Sequence, residues 1–195
     1  MESVYAEQAL RLYQELADSP VLYGLDCGAS DKPEAVRLRQ AWQPARWEWS
    51  SVDVNDVSAG IYTDKYKCRV GELTGETDFD FVLCVSVLEH WKQCEDDAES
   101  ILGALHNALS DKGVIVLTVP VGVAMEFDDF EQFNAVELGG TLAERFHILD
   151  ERFWLWNGDN WENCRAEDTE GAVYGMTNQA RCAAAVGGWV LARKG

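Results

Sequence analysis

The sequence predicts an α/β fold with a mostly parallel sheet and helices on both of its faces. Residues 79–88 are almost continuously apolar, which is typical of a strand buried on both sides, and Glu89 and His90 follow at its end. Residues 98–109 place their apolar side chains on one helical stripe, and residues 114–119 form a second apolar strand that Pro120 ends. A strand, a helix and a strand in this order predict a right-handed crossover between parallel strands.

The first part of the chain predicts a helix, a strand and a turn rich in small residues. Residues 4–17 repeat apolar side chains at spacings of three and four, as one face of a helix requires, and Pro20 follows their end. Residues 21–25 form a short apolar strand, residues 26–31 form the turn, and Pro33 suits the first turn of the next helix. Such a unit brings backbone N–H groups and a helix N-terminus to a ligand.

A second strand is predicted over residues 47–54, with Asp53 near its end. Asp53 lies 25 residues after Gly28. An acid at about this distance is what nucleotide binding needs, because its carboxylate accepts hydrogen bonds from the ribose hydroxyls. The alternative is a surface turn, since Asp-Val-Asn-Asp at residues 53–56 is also a good turn sequence. The position after a strand favours the binding role.

The remaining stretches complete the predicted fold. We expect a short third strand at residues 68–73 and a tight turn at residues 110–113. Residues 121–134 predict a lid or an irregular insert, and residues 135–146 predict a helix broken at Gly139 and Gly140. Residues 146–150 and 153–156 predict a strand pair or one kinked strand, and residues 157–177 predict a long loop. Residues 183–192 predict a closing strand, and the whole chain, 1–195, is predicted to form one domain.

The composition limits the partners. The 34 acidic and 16 basic residues give a formal net charge of −18, which repels nucleic-acid phosphates and anionic lipid. We therefore expect a neutral or cationic small-molecule substrate, no nucleic acid and no membrane; the alternative is that the charge serves solubility or high salt. No stretch is apolar enough to span a membrane and the N-terminus does not resemble a signal peptide, so a cytoplasmic location is expected. The sequence predicts no metal site and leaves the oligomeric state open.

Residues 79–120 resemble the class I S-adenosylmethionine-dependent methyltransferases, particularly their type 11 group. The shared pattern begins with Phe-Asp-x-Val at residues 79–82, an apolar strand, and Leu-Glu-His at residues 88–90. It continues with Leu-x-x-x-Leu at residues 105–109, Lys-Gly at residues 112–113 and a strand that ends at Pro120. The resemblance implies a Rossmann-like, doubly wound sheet of seven strands, mostly parallel with an antiparallel last strand, and helices on both faces.

The same resemblance implies S-adenosylmethionine as the cofactor, bound across the carboxyl ends of strands one, two and four. The small-residue turn would face its methionine part, Asp53 would hold the ribose with Val54 against the adenine, and Glu72 would read the adenine amino group. Val85 and Ser86 would lie beside the sulfonium. The implied cofactor-binding residues are Asp26, Cys27, Gly28, Ala29, Ser30, Asp53, Val54, Glu72, Leu73, Val85 and Ser86.

The turn departs from the family pattern Gly-x-Gly-x-Gly. Asp26 and Ser30 occupy the first and third glycine positions, and Tyr23 replaces the acid that usually precedes the turn. Glycines there let the backbone approach the ligand closely and take positive φ. The departure leaves open a rearranged or weak cofactor site, and also a scaffold that has kept the fold and lost the chemistry.

Methyl transfer to a small-molecule acceptor is the predicted activity. The main alternative is a non-catalytic partner or regulatory protein on the same fold, and a nicotinamide-binding domain fits poorly because Gly28 alone does not make Gly-x-Gly-x-x-Gly. The reaction needs mainly alignment of the reacting groups, and a base helps when the acceptor is a hydroxyl or an ammonium. His90 is the candidate catalytic base; the alternative is that Glu89 and His90 only fix the loop by hydrogen bonds.

Other side chains are weaker candidates for contact with the substrate. They are His147, Glu126, Asp128 and Asp129. His106 is expected to be solvated. The tryptophans Trp154, Trp156 and Trp161 line an aromatic pocket or belong to the core, and we favour the core.

Overall fold

The computed structural model describes residues 2–16, 21–29, 47–58, 60–73, 78–94, 97–128, 130–175 and 183–195. Its helices are α1 (Glu2–Leu16), α2 (Ala98–Ala108) and α3 (Ala135–Arg145). Its strands are β1 (Leu22–Cys27), β2 (Trp47–Asp53), β3 (Asp64–Lys67), β4 (Phe79–Val85), β5 (Leu109–Pro120), β6 (Met125–Glu126), β7 (Glu131–Gln132), β8 (Phe146–Trp156), β9 (Trp161–Cys164) and β10 (Ala185–Arg193). Three 3₁₀ helices span Val70–Glu72, Leu88–Cys94 and Ala166–Thr169.

The main sheet has eight strands in the order β3-β2-β1-β4-β5-β10-β8-β9. Strands β1 to β5 pair in parallel, and β10 runs antiparallel to both β5 and β8, so the predicted antiparallel last strand is confirmed. The predicted count of seven strands is wrong. The eighth is β9, which pairs antiparallel with the outer edge of the long strand β8, in a stretch that was predicted to be loop.

Helices cover both faces of the sheet, as predicted. On one face, α1 buries Tyr5 and Leu10 against a core that includes Trp49 and Phe81. On the other face, α2 and α3 bury their apolar stripes in a core around Leu105. The side chain of Asp97 caps the start of α2 by accepting a hydrogen bond from the Ser100 N–H at 2.6 Å. The predicted helix after Pro33 lies outside the described residues.

The third strand was predicted in the wrong place. It is β3, Asp64–Lys67, which pairs with the end of β2, whereas residues 68–73 form a loop and a 3₁₀ helix. The physical reason is that β3 is an edge strand in which three of the four residues are exposed, so it carries no apolar signal.

The predicted turn at residues 110–113 is extended backbone at the start of β5. The register between β4 and β5 shifts between Phe79 and Phe81, which places the extra residues in a bulge. A Cβ on Gly113 would lie 2.5 Å from the Phe79 carbonyl oxygen. Glycine is therefore needed there for close packing.

The region after β5 is more regular than predicted. Residues 121–134 contain the two-stranded hairpin of β6 and β7. Helix α3 runs without a break through Gly139 and Gly140, and residues 146–156 form one strand, β8. Within the described residues, no helix is long and apolar enough to cross a membrane.

Candidate functional site

Two cavities open at the carboxyl edge of the parallel strands. The smaller one, of 210 Å³, is lined by Gly28, Val52, Asp53, Val54, Asn55, Cys68, Val70, Ser86, Val87 and His90. The larger one, of 380 Å³, is lined by Glu2, Ser86, Glu89, His90, Pro120, Phe130, Trp161, Tyr174, Ala183 and Val186. Ser86 and His90 line both cavities, so the two spaces meet at the end of β4.

Gly28 forms the turn at the end of β1. Its φ of +65° lies in the left-handed region, and its N–H donates a hydrogen bond to the Val52 carbonyl oxygen at 2.9 Å. A Cβ at this position would lie 2.6 Å from Cγ2 of Val87. Both the backbone conformation and the close approach of Val87 therefore require the one glycine that the turn retains.

Asp26 and Cys27 belong to β1 and not to the predicted turn. Asp26 is 2% exposed and accepts a hydrogen bond from the Tyr62 hydroxyl at 2.5 Å. Burial raises the pKa of the Cys27 thiol well above its usual value. Ala29 is buried in the core on the α1 side. Neither of the two cavities has Asp26, Cys27 or Ala29 among its described lining residues, and Ser30 lies outside the described part of the chain.

Asp53 ends β2 and lines the smaller cavity next to Val54, where the sequence placed them. Its Oδ1 accepts hydrogen bonds from the Asn55 backbone N–H at 2.8 Å and from Asn55 Nδ2 at 3.2 Å. The surface-turn alternative thus describes the local geometry correctly. Within the described residues Oδ2 receives no hydrogen bond, so this oxygen remains able to accept one from a ligand.

Glu72 does not line the smaller cavity, although the sequence predicted an adenine contact there. Its carboxylate pairs with the Arg69 guanidinium and accepts a hydrogen bond from the Arg69 N–H at 3.1 Å. These hydrogen bonds from Arg69 hold the pKa of Glu72 below its usual range. Leu73 is buried in the core, and the neighbouring residues that line the cavity are Cys68 and Val70.

Ser86 follows the last residue of β4 and has a φ of +53°, which bends the chain away from the sheet. Its N–H donates to the Thr118 carbonyl oxygen at 3.0 Å, and its hydroxyl donates to Glu2 Oε1 at 2.8 Å. Val85 is half-buried against the core on the α1 side and lines neither of the two cavities. Of the two predicted neighbours of the sulfonium, Ser86 is the one at the cavities.

Glu89 begins the short 3₁₀ helix after β4 and is only 3% exposed, although it lines the larger cavity. Within the described residues, its Oε2 has no hydrogen-bond partner. Burial raises the pKa of Glu89 from 4.5 to about 8, with a further contribution from the charge of Glu2; its own backbone N–H and the Ser86 hydroxyl oppose this rise. The carboxyl group of Glu89 thus has hydrogen bonds from the loop itself, and its Oε2 is left without one.

His90 is half-buried between the two cavities, and its backbone N–H donates to the Val87 carbonyl oxygen at 3.0 Å. Its ring lies 6.3 Å from that of Phe130, which belongs to an aromatic wall together with Phe127 and Tyr174. The Phe130 and Tyr174 ring centroids are 4.3 Å apart. This places the predicted base at the junction of the two spaces, beside the aromatic wall of the larger one.

The β6–β7 hairpin carries Phe127 and Phe130 between its strands, and it is attached to the 3₁₀ helix that follows β4. Trp91 Nε1 donates to Glu131 at 2.7 Å, and Lys92 pairs with Glu126 at 2.6 Å. The stretch predicted as a lid or insert is therefore part of the wall of the larger cavity.

The other predicted substrate contacts do not line the cavities. His147 and Asp128 are exposed, Glu126 pairs with Lys92, and Asp129 lies outside the described residues. His106 is half-buried with Nε2 3.1 Å from the Lys194 carbonyl oxygen, so the prediction of a solvated side chain is wrong.

The tryptophans divide between core and cavity. Trp154 is buried in the core, as predicted. Trp161 lines the larger cavity, and its ring centroid lies 5.5 Å from that of Trp156. Sequence reasoning missed Glu2 and Tyr174, because their positions at the start and near the end of the chain give no sign that they meet. The sequence predicted for Glu89 only the alternative role of fixing the loop, and an acid directly after a buried strand was the available signal for a place in the cavity.

No protein-family model and no curated protein sequence matches the chain, but solved structures match it over almost its full length. The 1,6-didemethyltoxoflavin-N1-methyltransferase of Burkholderia thailandensis, with bound 1,6-didemethyltoxoflavin and S-adenosylhomocysteine, is 15% identical; the match covers 100% of this chain and 79% of that one, with a TM-score of 0.62. The N-methyltransferase NodS of Bradyrhizobium japonicum, in complex with S-adenosylhomocysteine, is 11% identical over 97% of this chain and 86% of that one, with a TM-score of 0.57.

A third match is the magnesium protoporphyrin IX methyltransferase ChlM of Synechocystis with bound S-adenosylmethionine, 13% identical over 96% of this chain and 78% of that one, with a TM-score of 0.54. The chain has the class I S-adenosylmethionine-dependent methyltransferase fold. The resemblance that residues 79–120 carry is thereby confirmed at the level of the fold. At these sequence identities, the comparisons show that the backbone fold is shared. The roles of individual residues have to be argued from the site itself.

Proposed function

We propose that this chain is an S-adenosylmethionine-dependent methyltransferase that acts on a small-molecule acceptor. The observation that carries the proposal is the pair of cavities that share Ser86 and His90 at the carboxyl edge of the sheet. In open α/β sheets, ligands bind at this edge. Two adjoining spaces are what a transfer between a cofactor and an acceptor needs, because the two reacting groups must be aligned side by side.

The residues of the smaller cavity fit the cofactor. Asp53 has one carboxylate oxygen available for the ribose, and Val54, Val70 and Cys68 supply apolar surface for the adenine. Gly28 lines this cavity at the end of β1, where the methionine part would pass. When bound, the cofactor supplies a methyl group on a positively charged sulfur.

The buried position of Asp26 supports a cofactor site despite the altered turn. Asp26 occupies the position of a family glycine, but it lies inside β1 with its carboxylate hydrogen-bonded to Tyr62. Its side chain therefore points into the protein's own hydrogen-bond network rather than toward either cavity. The turn that matters for ligand approach begins at Gly28, which is unchanged.

The larger cavity is the acceptor site in this proposal. Its volume of 380 Å³ and its aromatic walls suit a small organic molecule. Two of the structural neighbours described above are, by name, N-methyltransferases, and one of them holds its small acceptor. His90, at the junction, is the proposed base for the acceptor. Membership of the type 11 group and a cytoplasmic location belong to the same proposal and stay predictions.

Calorimetric titration with S-adenosylhomocysteine tests the cofactor site. We expect the wild type to bind it, and Asp53→Ala to weaken binding at least about tenfold, because hydrogen bonds to a charged group contribute about 1.5 to 3 kcal/mol each. Asp56→Ala is the matched control: Asp56 lies three residues away, pairs with Lys67 on the surface and lines neither cavity.

Two results would contradict the proposal. One is the absence of heat for both S-adenosylmethionine and S-adenosylhomocysteine at millimolar concentration, which would favour the non-catalytic alternative. The other is equal affinity of the Asp53→Ala and Asp56→Ala proteins for S-adenosylhomocysteine, which would mean that Asp53 does not bind the ribose.

A further inference from the structure

We propose that the larger cavity selects acceptors with a protonated amino group, which Glu2 and Glu89 bind between them and which Glu89 deprotonates; for this class of acceptor Glu89 replaces His90 as the base. This inference rests on the proposed function and names the substrate class of its acceptor site. Its basis is the placement of two carboxyl groups, one of them almost fully buried, in a cavity whose remaining wall is largely aromatic.

Glu2 is held in the cavity by the ends of two strands. Its Oε1 accepts hydrogen bonds from the Ser86 hydroxyl at 2.8 Å and from the Thr118 hydroxyl at 3.1 Å. Ser86 follows β4, and Thr118 is a fully buried residue of β5. These two bonds attach the first turn of α1 to the carboxyl edge of the sheet, and they fix a carboxylate there.

Glu89 shares the cavity with Glu2, and its Oε2 has no partner within the described residues. A buried oxygen that makes no hydrogen bond is costly to the folded protein, and a second negative charge nearby adds to that cost. None of the described residues lining this cavity is a lysine or an arginine. A cationic ligand would supply both the missing donor and the missing positive charge.

The titratable groups around Glu89 come from several elements. Glu2 of α1 raises its pKa, Cys84 of β4 interacts with it electrostatically, and His90 follows it in the 3₁₀ helix. Tyr174 lies across the same cavity. In the free protein near neutral pH, the raised pKa leaves much of Glu89 as the uncharged acid. When an ammonium group binds, this proton leaves Glu89, and the positive charge of the ammonium then balances the charges of Glu2 and Glu89.

The aromatic wall favours the same class of ligand. Phe130, Tyr174 and Trp161 line the same cavity as the two acids, and aromatic rings attract a cation or stack with a flat apolar body. A cavity that combines acids with aromatic rings favours an amine that carries an apolar group. An anionic acceptor would meet two carboxyl groups and, among the described lining residues, no lysine or arginine to balance its charge.

The proton step balances within the cavity. Glu89 in its carboxylate form takes one proton from the ammonium and becomes the neutral acid. The nitrogen keeps the electron pair of the broken N–H bond. With the cofactor bound, this pair would form the bond to the methyl carbon while the carbon–sulfur bond breaks and its electron pair stays on the sulfur, which thereby loses its positive charge. A base with a pKa near neutrality suits this task, because it is available as carboxylate and still accepts the proton readily.

The test compares amines with neutral molecules of the same shape. The full chain, with and without saturating S-adenosylhomocysteine, is titrated by calorimetry with benzylamine, phenethylamine and tryptamine, and with benzyl alcohol, phenethyl alcohol and tryptophol. We expect at least one amine to bind tenfold or more tightly than its alcohol, and Glu89→Gln to remove this preference. Titration near pH 7 in phosphate and in Tris buffer, which differ in ionisation enthalpy, should reveal proton release on amine binding that Glu89→Gln abolishes.

Glu144→Gln is the control variant. Glu144 is an exposed residue of α3 that lines neither of the two cavities, so this substitution removes the same charge away from both. Equal binding of amines and alcohols, or equal amine binding by the two variants, would overturn the inference. A protein that binds S-adenosylhomocysteine without preferring amines contradicts this inference alone. One that binds amines through Glu89 but no S-adenosylhomocysteine contradicts the proposed function instead.

Discussion

Two glutamates from distant parts of the chain meet beyond the ends of β4 and β5. Glu2 is anchored by hydroxyl groups, and Glu89 is buried with one oxygen unpaired. Burial penalises the charged form of Glu89 and raises its pKa to about 8. Asp53, by contrast, is half-exposed and keeps a turn hydrogen bond to Asn55.

The pKa of Glu89 predicts a specific dependence of stability on pH. Its folded value of about 8 lies above the ordinary 4.5, so the folded state binds the proton more tightly than the unfolded state does. The contribution of this group is fully present below about pH 4.5 and is lost as the pH rises toward about 8, at about 1.4 kcal/mol per pH unit. Above that range the loss is complete.

Urea unfolding of the wild type and of Glu89→Gln from about pH 5 to about pH 8 measures this effect. We expect the unfolding free energy of the wild type to fall relative to that of Glu89→Gln as the pH rises, because glutamine has no proton to lose. Glu144→Gln should run parallel to the wild type. A Glu89→Gln protein that also runs parallel would show that Glu89 titrates normally.

At the scale of elements, α3 shows how tertiary packing overrides a weak local preference. Gly139 and Gly140 disfavour a helix, and the sequence predicted a break there. The structure retains the helix because Leu138 and Leu142 are buried in the core, and Asn134 caps its first turn with hydrogen bonds of 2.9 and 3.0 Å. Burial of one apolar face outweighs a propensity cost of about 1 kcal/mol for each glycine.

This explanation predicts that Gly139→Ala and Gly140→Ala stabilise the protein. Among the described residues, no atom outside the helix's own backbone and the adjacent residues lies within 4 Å of a Cβ at either position, so the methyl group fits without strain. Each change should add about 0.5 to 1 kcal/mol to the free energy of unfolding, measured by urea denaturation. Gly28→Ala is the contrasting control and should destabilise, since its φ is +65° and Val87 occupies the space. Destabilisation by the two α3 variants would mean that the helix is not continuous in solution.

The two edge strands of the sheet, β3 and β9, were not predicted correctly from the sequence. Strand β4 was predicted closely, because both its faces are buried and its apolar run leaves little alternative. Strands β3 and β9 were missed, because each lies at an outer edge of the sheet and is largely exposed. Their place depends on the unpaired edges of β2 and β8, which a local stretch of sequence does not reveal.

At the scale of the whole molecule, the net charge of −18 dominates the electrostatics. Several ion pairs, such as those of Lys67 with Asp56 and Arg165 with Asp168, are exposed and contribute little. Repulsion among the remaining acids destabilises the compact state, and dissolved salt screens it.

We therefore expect the melting temperature to rise as sodium chloride is increased at neutral pH. Differential scanning calorimetry measures it. The same series near pH 4.4, the isoelectric point, is the control, since the net charge there is close to zero and the rise should largely disappear. A melting temperature that is independent of salt at neutral pH would show that the acidic surface is not under net repulsion.

The sequence by itself determined the central parallel strands and the crossover helix α2, and it placed an acid, Asp53, at the end of β2. These depend on patterns within short stretches: apolar runs, helical spacing, and an acid at the end of a strand. Only the tertiary structure decided that Asp26 is buried beside Tyr62, and that Glu2, Glu89 and Tyr174 share one cavity. The reason is physical, because burial and charge proximity are set by groups from distant parts of the chain, and these groups meet only when the sheet has formed.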